Sequence, residues 1–498
     1  MSFDASLPVL IVFSSFFTGV VIFFLDEESH LLRTVLNLIG ALLKVALVGV
    51  LIWGVLREHV YETRLTLLPG LDFALRADAL SVLFVTLSAV LWLATTLYAV
   101  GYLEDSPNRS RFFGVFSLCV SATMGIALAG NLVTFLIFYE ALTLSTFPLV
   151  VHRGTVKALR AGAVYLAYTM GGGMLVLLAT VWLQSFAGPV EFRERGVLEA
   201  YAATHGWQLV VLFFVFVAGL GVKSAIVPLH GWLPKAMVAP APVSALLHAV
   251  AVVKAGVFGI VRVVYDVYGV EFSQDLGVLG PLAAAAAVTI LYGSLRAVFQ
   301  DDLKRRLAYS TVSQVSYIVL GAALFGPVAT LGGLVHLVHQ GLMKITMFFC
   351  AGNYAETLGV HKVSELHGAG RRMPWTTAAF TIGALGMIGV PPFVGFFSKW
   401  FLGLGALDAG RGEFVLVLVG SSLLNAIYFL PILHKAWFLP QRGPWPAEHV
   451  GGRLETHWML LAPPLATAAA VVVFGVMADM PFSPLQWAQL IVTREYGR

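Results

Sequence analysis

The stretch QLVVLFFVFVAGLGVKSAIVP (208–228) decides the fold: in twenty-one residues it carries one charge, Lys223. A hydrocarbon core of about 30 Å takes about 20 helical residues to cross, so this stretch reads as a membrane span with a lysine inside it. The runs 275–295 and 457–478 are equally apolar. Over all 498 residues 58% are hydrophobic and only 12% charged. Soluble domains carry roughly 25% charged residues, and a chain this apolar could not cover itself with polar surface in water. The expected class is an all-α polytopic membrane protein.

Scanning outward gives fourteen candidate spans, at 7–25, 33–56, 77–100, 112–129, 131–151, 160–186, 208–230, 242–267, 276–298, 307–325, 328–353, 375–400, 412–438 and 457–478. Connections are short, the longest polar stretches being 187–207 and 439–456, so 1–498 reads as a single membrane domain. Within it, 7–100 holds helices one to three, 112–267 helices four to eight, 276–438 helices nine to thirteen and 457–478 helix fourteen. The N-terminal MSFDASLPVLIVFSSFF lacks the basic start of a cleaved signal and reads as the first span. Alternate loops hold seventeen Lys and Arg on one side against eight on the other, among them Arg453 and Arg498 respectively. The positive-inside rule then puts both termini on the non-cytoplasmic side of a cell (inner) membrane. The net charge of +4 follows from those loops, and no aromatic-interleaved basic patch suggests nucleic acid. Cys119 and Cys350 lie in apolar segments and read as small embedded side chains, without a disulfide or metal role.

The chemistry sits in the ionisable residues inside spans: Glu140 in the fifth, Lys223 in the seventh, Lys254 in the eighth, Lys344 in the eleventh and Lys399 in the twelfth. Each costs about 2.5–3.5 kcal/mol at a helix centre unless paired or hydrated, and such residues mark ion or proton routes. Plainer alternatives exist: Glu140 and Lys223 could simply hold two helices together, and Lys399 could snorkel to the interface, as Lys44 and Arg262 are expected to do. A structural network would neutralise itself, however, whereas four lysines face one glutamate. Burial and like charge both disfavour an ammonium, which makes a reversible proton carrier of a lysine. His336, Gln340 and Lys344 share one helix face, with His339 beside them, while His248 follows Ser244 by a turn and Lys254 lies about a third of a turn round from it. A relay along these histidines competes with the reading of satisfied core residues. Gly219, Gly221 and Pro228 flank Lys223; Gly386, Gly389, Pro391, Pro392 and Gly395 precede Lys399. Helix breaks at membrane depth are tolerated where freed backbone lines a wet cavity or packs in protein. Their placement in spans seven and twelve suggests two five-helix repeats, four to eight and nine to thirteen.

At these residues the chain resembles the antiporter-like subunits shared by respiratory complex I, membrane-bound hydrogenases and Mrp-type multisubunit cation/proton antiporters. The resemblance rests on PLHGWLPKAMVAPAPVSALLHAVAVVKAG (228–256), DDLKRRLAYSTVSQVSYI (301–318), HLVHQGLMKITMFFCAG (336–352) and GVPPFVGFFSKW (389–400), and covers roughly 70–440. It implies fourteen helices with two inverted five-helix repeats, broken at the seventh and twelfth. It implies a pairing of Glu140 with Lys223, a connecting role for Lys254, a central one for Lys344, a terminal one for Lys399, and polar axis positions for His248 and His336. Asp301, Lys304, Ser310 and Ser313 belong to the motif opening the tenth span. Lys399, where a middle complex I subunit carries glutamate, and the stop soon after the last span favour resemblance to an Mrp member of the D type or its hydrogenase-like relatives; VVKAG in the eighth span also resembles the Mrp large subunit.

The expected function is therefore proton movement, with Na+ or K+ as further candidate ions, through a Lys/Glu/His axis within a complex of other membrane subunits in the lipid bilayer. A proton-pumping subunit of a complex I-like NADH:quinone oxidoreductase or hydrogenase is the nearest alternative. A redox subunit binding its own cofactor would need haem ligands on facing helices, a nucleotide loop or Cys clusters; His336 and His339 lie a turn apart on one helix, so no cofactor, metal or catalytic residue is expected.

Overall fold

The computed structural model describes residues 3–103, 106–449 and 454–497. Arg453 and Arg498 of the charge asymmetry lie outside the described residues. Twenty helices follow one another: α1 (Phe3–Phe23), α2 (His30–Val55), α3 (Ala79–Tyr102), α4 (Arg109–Leu128), α5 (Leu132–Val150), α6 (Val156–Ala187), α7 (Ala202–Lys223), the short α8 (Trp232–Lys235), α9 (Ala241–Ala249), α10 (Val252–Arg262), the short α11 (Val270–Asp275), α12 (Leu279–Val298), α13 (Leu303–Ala323), α14 (Pro327–Leu358), the short α15 (Ala369–Arg372), α16 (Pro374–Ile388), α17 (Val394–Asp408), α18 (Glu413–Phe438), α19 (Trp458–Val476) and α20 (Pro484–Tyr496). Among the described residues twelve spans are long and apolar enough to cross a membrane. Two of the fourteen expected ones do not qualify, for separate reasons. The tenth, α13, carries Lys304, Arg305 and Arg306 in its first turns and a run of Ser, Thr and Gln after them. The twelfth is divided into α16 and α17, each of fifteen residues.

Among the described residues two strands stand apart from the helices. Tyr61–Leu68 (β1) and Leu71–Ala77 (β2) form an antiparallel hairpin between α2 and α3, turning at Gly70 with φ +78°. The alternation YETRLTL carries the period-two signal of a strand, and the all-α expectation overlooked it.

Burial separates the core from its sheath. Ala241–Tyr268 and Pro327–Leu358 are 100% buried over their most apolar windows, whereas Phe3–Phe23 is 39% buried. α14 packs on α9, α13, α16, α17 and α19, so its side chains see protein on every side. An apolar outer face suits a lipid solvent, and the exposed Leu, Val and Phe of α1, α2, α6 and α18 supply it.

Three breaks interrupt the interior helices. α7 ends at Lys223; the chain then turns through Ala225 at φ +58°, and Pro228, which has no N–H to continue a helix, follows. Freed groups find partners: Val227 N–H donates to Thr289 Oγ1 (3.1 Å) and Trp232 Nε1 donates to the Val222 carbonyl (2.7 Å). The second break, at Val250–Ala251, separates α9 from α10 and was not expected. The third runs from Gly389 (φ +96°) through Pro391 and Pro392 to Phe393, as the sequence indicates. Gly221, by contrast, lies within α7 and breaks nothing.

Candidate functional site

The expected lysines lie in the interior: Lys223, Lys254 and Lys399 at or against helix breaks, and Lys344 within the unbroken α14. Lys223 is the last residue of α7; its Nζ donates to the Tyr139 carbonyl and sits 3.4 Å from the Tyr139 ring centroid. Lys254, in the first turn of α10, donates to the Leu337 carbonyl of α14 (2.7 Å). Lys344, midway along α14, donates to Ser310 Oγ of α13 (2.6 Å) and to the Leu307 carbonyl (3.4 Å). Lys399 of α17 turns back to the end of α16, donating to the Met387 and Ile388 carbonyls (2.8 and 2.9 Å) and to Ser422 Oγ (2.9 Å). Lys223, Lys254 and Lys344 have no accessible surface. Their acceptors are carbonyls and hydroxyls, and among the described residues none of the four forms an ion pair within 4.0 Å.

The expected pairing of Glu140 with Lys223 is one of charge at a distance. The two are near enough to feel each other's charge, yet no ion pair joins them. Glu140 is half-buried on α5 and its Oε1 has no hydrogen-bond partner in the protein. It reaches over Gly173 of α6, where an added Cβ would stand 1.7 Å from Oε1. Lys44 and Arg262, expected to snorkel, are buried as well. Arg262 is 1% exposed and holds Asp78 (2.7 Å) and Asp266 (2.9 Å) in a bridge at the end of α10. Lys44 is 0% exposed.

Two of the three expected histidines, His336 and His248, lie within electrostatic reach of the lysines. His336 Nδ1 hydrogen-bonds Ser398 Oγ (2.8 Å), and His336 lies within electrostatic reach of both Lys254 and Lys399. His248 stacks on Phe348 at 4.6 Å and is similarly placed toward Lys344. The break between α9 and α10 removes the single-helix phase relation assumed for His248 and Lys254. His248 Nδ1 and Nε2, His336 Nε2, His339 Nδ1, both amide atoms of Gln340 and of Gln314, and Tyr317 Oη are buried without a well-formed hydrogen bond in the protein, Tyr317 lying near Ser421, Ser422 and Gln314 and His336 near the Gln314 backbone. Buried polar atoms are nearly always satisfied, by water where the protein does not do it. So dense a set along α13 and α14 marks a polar interior able to hold a file of water.

Sequence reading missed a connection between the last two lysines. Tyr428 Oη hydrogen-bonds Ser310 (2.8 Å) and Asn425 Oδ1 (2.6 Å), and Asn425 Nδ2 donates to the same Met387 carbonyl that Lys399 binds (3.0 Å). Ser310 is already bound to Lys344, so one hydrogen-bonded chain runs from Lys344 to Lys399. The polar positions Ser421, Ser422, Asn425 and Tyr428 inside the apolar run of α18 carried the signal. Among the described residues no group of three or more His, Cys, Asp and Glu is arranged to hold a metal ion.

A many-spanning helical protein with amines and imidazoles aligned through its interior has the build of an antiporter-like membrane subunit. The chain belongs to the family described as NADH:quinone oxidoreductase/Mrp antiporter, transmembrane, which matches residues 129–425. The complex I chain 5 N-terminus family matches residues 70–113. NADH-quinone oxidoreductase subunit N of Desulforudis audaxviator (strain MP104C) is 38% identical over 427 residues, covering 83% of this chain and 84% of that protein. Subunit L of Mycobacterium tuberculosis (strain CDC 1551 / Oshkosh) is 34% identical over 391 residues, and there the match covers 74% of this chain but 58% of the relative. Its fold is that of a chain of the Mrp complex from Dietzia sp. DQ12-45-1b, with TM-score 0.85, 23% identity, and 100% and 98% of the two chains covered.

Proposed function

We propose that this chain moves protons across and along the membrane through Glu140, Lys223, Lys254, Lys344 and Lys399, with His248, His336 and His339 and intervening water between them. The observation that carries the reading is the row itself: buried amines bound only to neutral acceptors, together with imidazoles that keep at least one ring nitrogen without a partner. An ammonium held by carbonyls and hydroxyls can release its proton without leaving a carboxylate stranded. In a low-dielectric interior, charge on one member alters its neighbours by an energy of several kcal/mol. Charge arriving at Glu140 would hold the Lys223 ammonium more tightly; its loss would free that proton toward Lys254, Lys344 and an exit near Lys399.

We infer further that the breaks after Lys223 and at Gly389–Phe393 belong to two inverted five-helix repeats, 112–267 and 276–438, with 7–100 and 457–478 outside them. Both termini lie on the non-cytoplasmic side of a cell (inner) membrane, and the partners are other membrane subunits. The chain itself is a transport subunit without a redox centre, and its ion is H+, with Na+ or K+ as exchange partners. The assembly we favour is an Mrp-type cation/proton antiporter, for which Lys399 in place of a glutamate speaks. A complex I-type assembly is the second reading, favoured by the 38% identity with a subunit N over most of its length.

The conduction claim is tested with Lys344→Met in the assembled complex, reconstituted into vesicles. Proton translocation should vanish while assembly persists; an unchanged rate would overturn it. Mass-spectrometric composition of the complex pulled down with this chain decides the assembly. Small membrane subunits without redox proteins mean the antiporter, and iron–sulfur or nickel proteins mean the electron-driven pump.

A further inference from the structure

Outside the lysine row, helices α1, α2 and α4 turn polar faces toward one another. On α2 the buried face carries Arg33, Asn37 and Lys44; on α4 it carries Ser110, Ser117 and Ser121; α1 contributes Ser15. The contacts form a column. Arg33 Nη1 donates to Ser110 Oγ (2.6 Å), Ser117 Oγ to Asn37 Oδ1 (3.4 Å), and Lys44 Nζ to Ser15 Oγ (2.5 Å). Eleven residues separate Arg33 from Lys44, about 16 Å of helix at about 1.5 Å per residue, so Lys44 stands near the middle of its span. At the Arg33 end lies a cavity of about 520 Å³ lined by His30, Arg33, Arg109 and His457 among others.

Lys44 is not placed there for packing alone. Its ammonium has a single oxygen acceptor and the ring of Trp92 5.0 Å away, and among the described residues it forms no ion pair. Behind that ring, Trp92 Nε1 and the hydroxyls of Ser88 and Thr96, spaced by one turn on α3, are buried without a protein partner. The charged or titratable groups on the column are Arg33 and His30 of α2 and Arg109 of α4; α1 and α3 bring hydroxyls and Trp92 alone. Glu27, the nearby carboxylate, is taken up at the mouth by the Arg109 and Ser110 amides (2.8 and 3.1 Å). A methionine would fill the space without the cost of about 2.5–3.5 kcal/mol that a mid-span ammonium carries. The structure therefore offers an amine, unpartnered polar atoms around it, and a polar lead to an aqueous cavity.

We propose that Lys44 is a second proton-binding site, outside the Glu140–Lys399 row, which exchanges its proton with water in the His30–Arg33–His457 cavity along the Asn37–Ser117 column. The neutral amine takes a proton from hydronium in the column, leaving water; release reverses the step, and no other reactant is needed. The inference goes beyond the reading of the row and does not depend on it.

The test places a thiol at position 44 by Lys44→Cys in a Cys119→Ser, Cys350→Ala chain, within the assembled complex in sealed vesicles. A cationic ethylammonium thiosulfonate reagent is applied to one face and then the other, with Leu51→Cys, two turns on and equally buried, as reference. The thiol at 44 should react at least about tenfold faster than that at 51, from the Arg33 face only. Its rate should rise with bulk pH as thiolate forms, and Asn37→Leu should slow it. Equal rates at 44 and 51, or a pH-independent rate at 44, would overturn the proposal. If Lys44→Cys fails to assemble, Ser15→Cys reports on the same place, with the same outcomes deciding.

Discussion

Tyr428→Phe deletes one oxygen and should cut the chain between Lys344 and Lys399. Donor accounting fixes the direction of that chain. Asn425 Oδ1 can only accept, because Asn425 Nδ2 is committed to the Met387 carbonyl, so the single Tyr428 hydrogen points to Asn425. Ser310 accepts from Lys344 and is then the donor toward Tyr428 Oη. Removing Oη leaves a buried amide oxygen without its partner and a buried hydroxyl without its acceptor, each costing about 1–3 kcal/mol. The variant should therefore lose about 2–6 kcal/mol of stability, less whatever water recovers. The chain closes on the Met387 carbonyl, which accepts from both sides and passes no proton, so in transport it holds Ser310 against Lys344. One lost hydrogen bond of about 1–1.5 kcal/mol in the Lys344 transfer barrier slows translocation about tenfold. The assay is proton uptake into vesicles bearing the assembled complex, with thermal unfolding of the same preparation. A lowered unfolding temperature with an unchanged transport rate would mean that the bridge is structural only and that Lys344 does not depend on it.

Three other outcomes follow from the packing and charges. Arg262→Leu strands Asp78 and Asp266, both bound to that guanidinium, and should cost about 3–5 kcal/mol, read in thermal unfolding of the detergent-solubilised chain. Gly256→Ala would put a Cβ 2.3 Å from the Ser224 amide nitrogen, so the backbone behind Lys223 must move. The overpacking should cost about 1–3 kcal/mol and impair transport along with stability. Glu495, on α20 and outside the spans, is pushed up to about 9 by burial and then by the charge of Asp266. The docked helix thus favours the protonated carboxyl. The contribution is full below the ordinary value of 4.5, falls as pH rises beyond it and is gone above about 9. Hydrogen exchange of 484–496 should accelerate across that interval, and Glu495→Gln should flatten the dependence.

Spans and buried charges were legible because the bilayer imposes length and apolarity on every crossing segment, and an interior lysine violates that rule visibly. Lys223, Lys254, Lys344 and Lys399 all fell out of that single test, and Pro391–Pro392 announced its break through missing donors. Three kinds of information were hidden. Depth around a helix was one: Arg262 sits near the end of its expected span, and Lys44, although central in 33–56, carries a stem long enough to suggest snorkelling, but tertiary packing, with Ser15 and Asp78 supplied from elsewhere, buries both. Partner choice was another, since nothing local says that Lys223 takes a backbone carbonyl while Glu140 lies over Gly173. The break at Val250–Ala251 was the third; it carries no Pro or Gly of its own, and Ala251 holds φ −95°, ψ −91° because its surroundings require it. The Tyr428–Asn425 bridge was half visible, as polar residues one turn apart in an apolar run whose partners belong to another helix.

Whether the buried row conducts is measured most directly by proton translocation in the assembled complex carrying Lys223→Ala or Glu140→Ala, alongside the unaltered chain in the same vesicles. Both variants should insert and assemble and translocate nothing measurable. Normal transport by both would mean that the row does not conduct and that these charges only hold helices together.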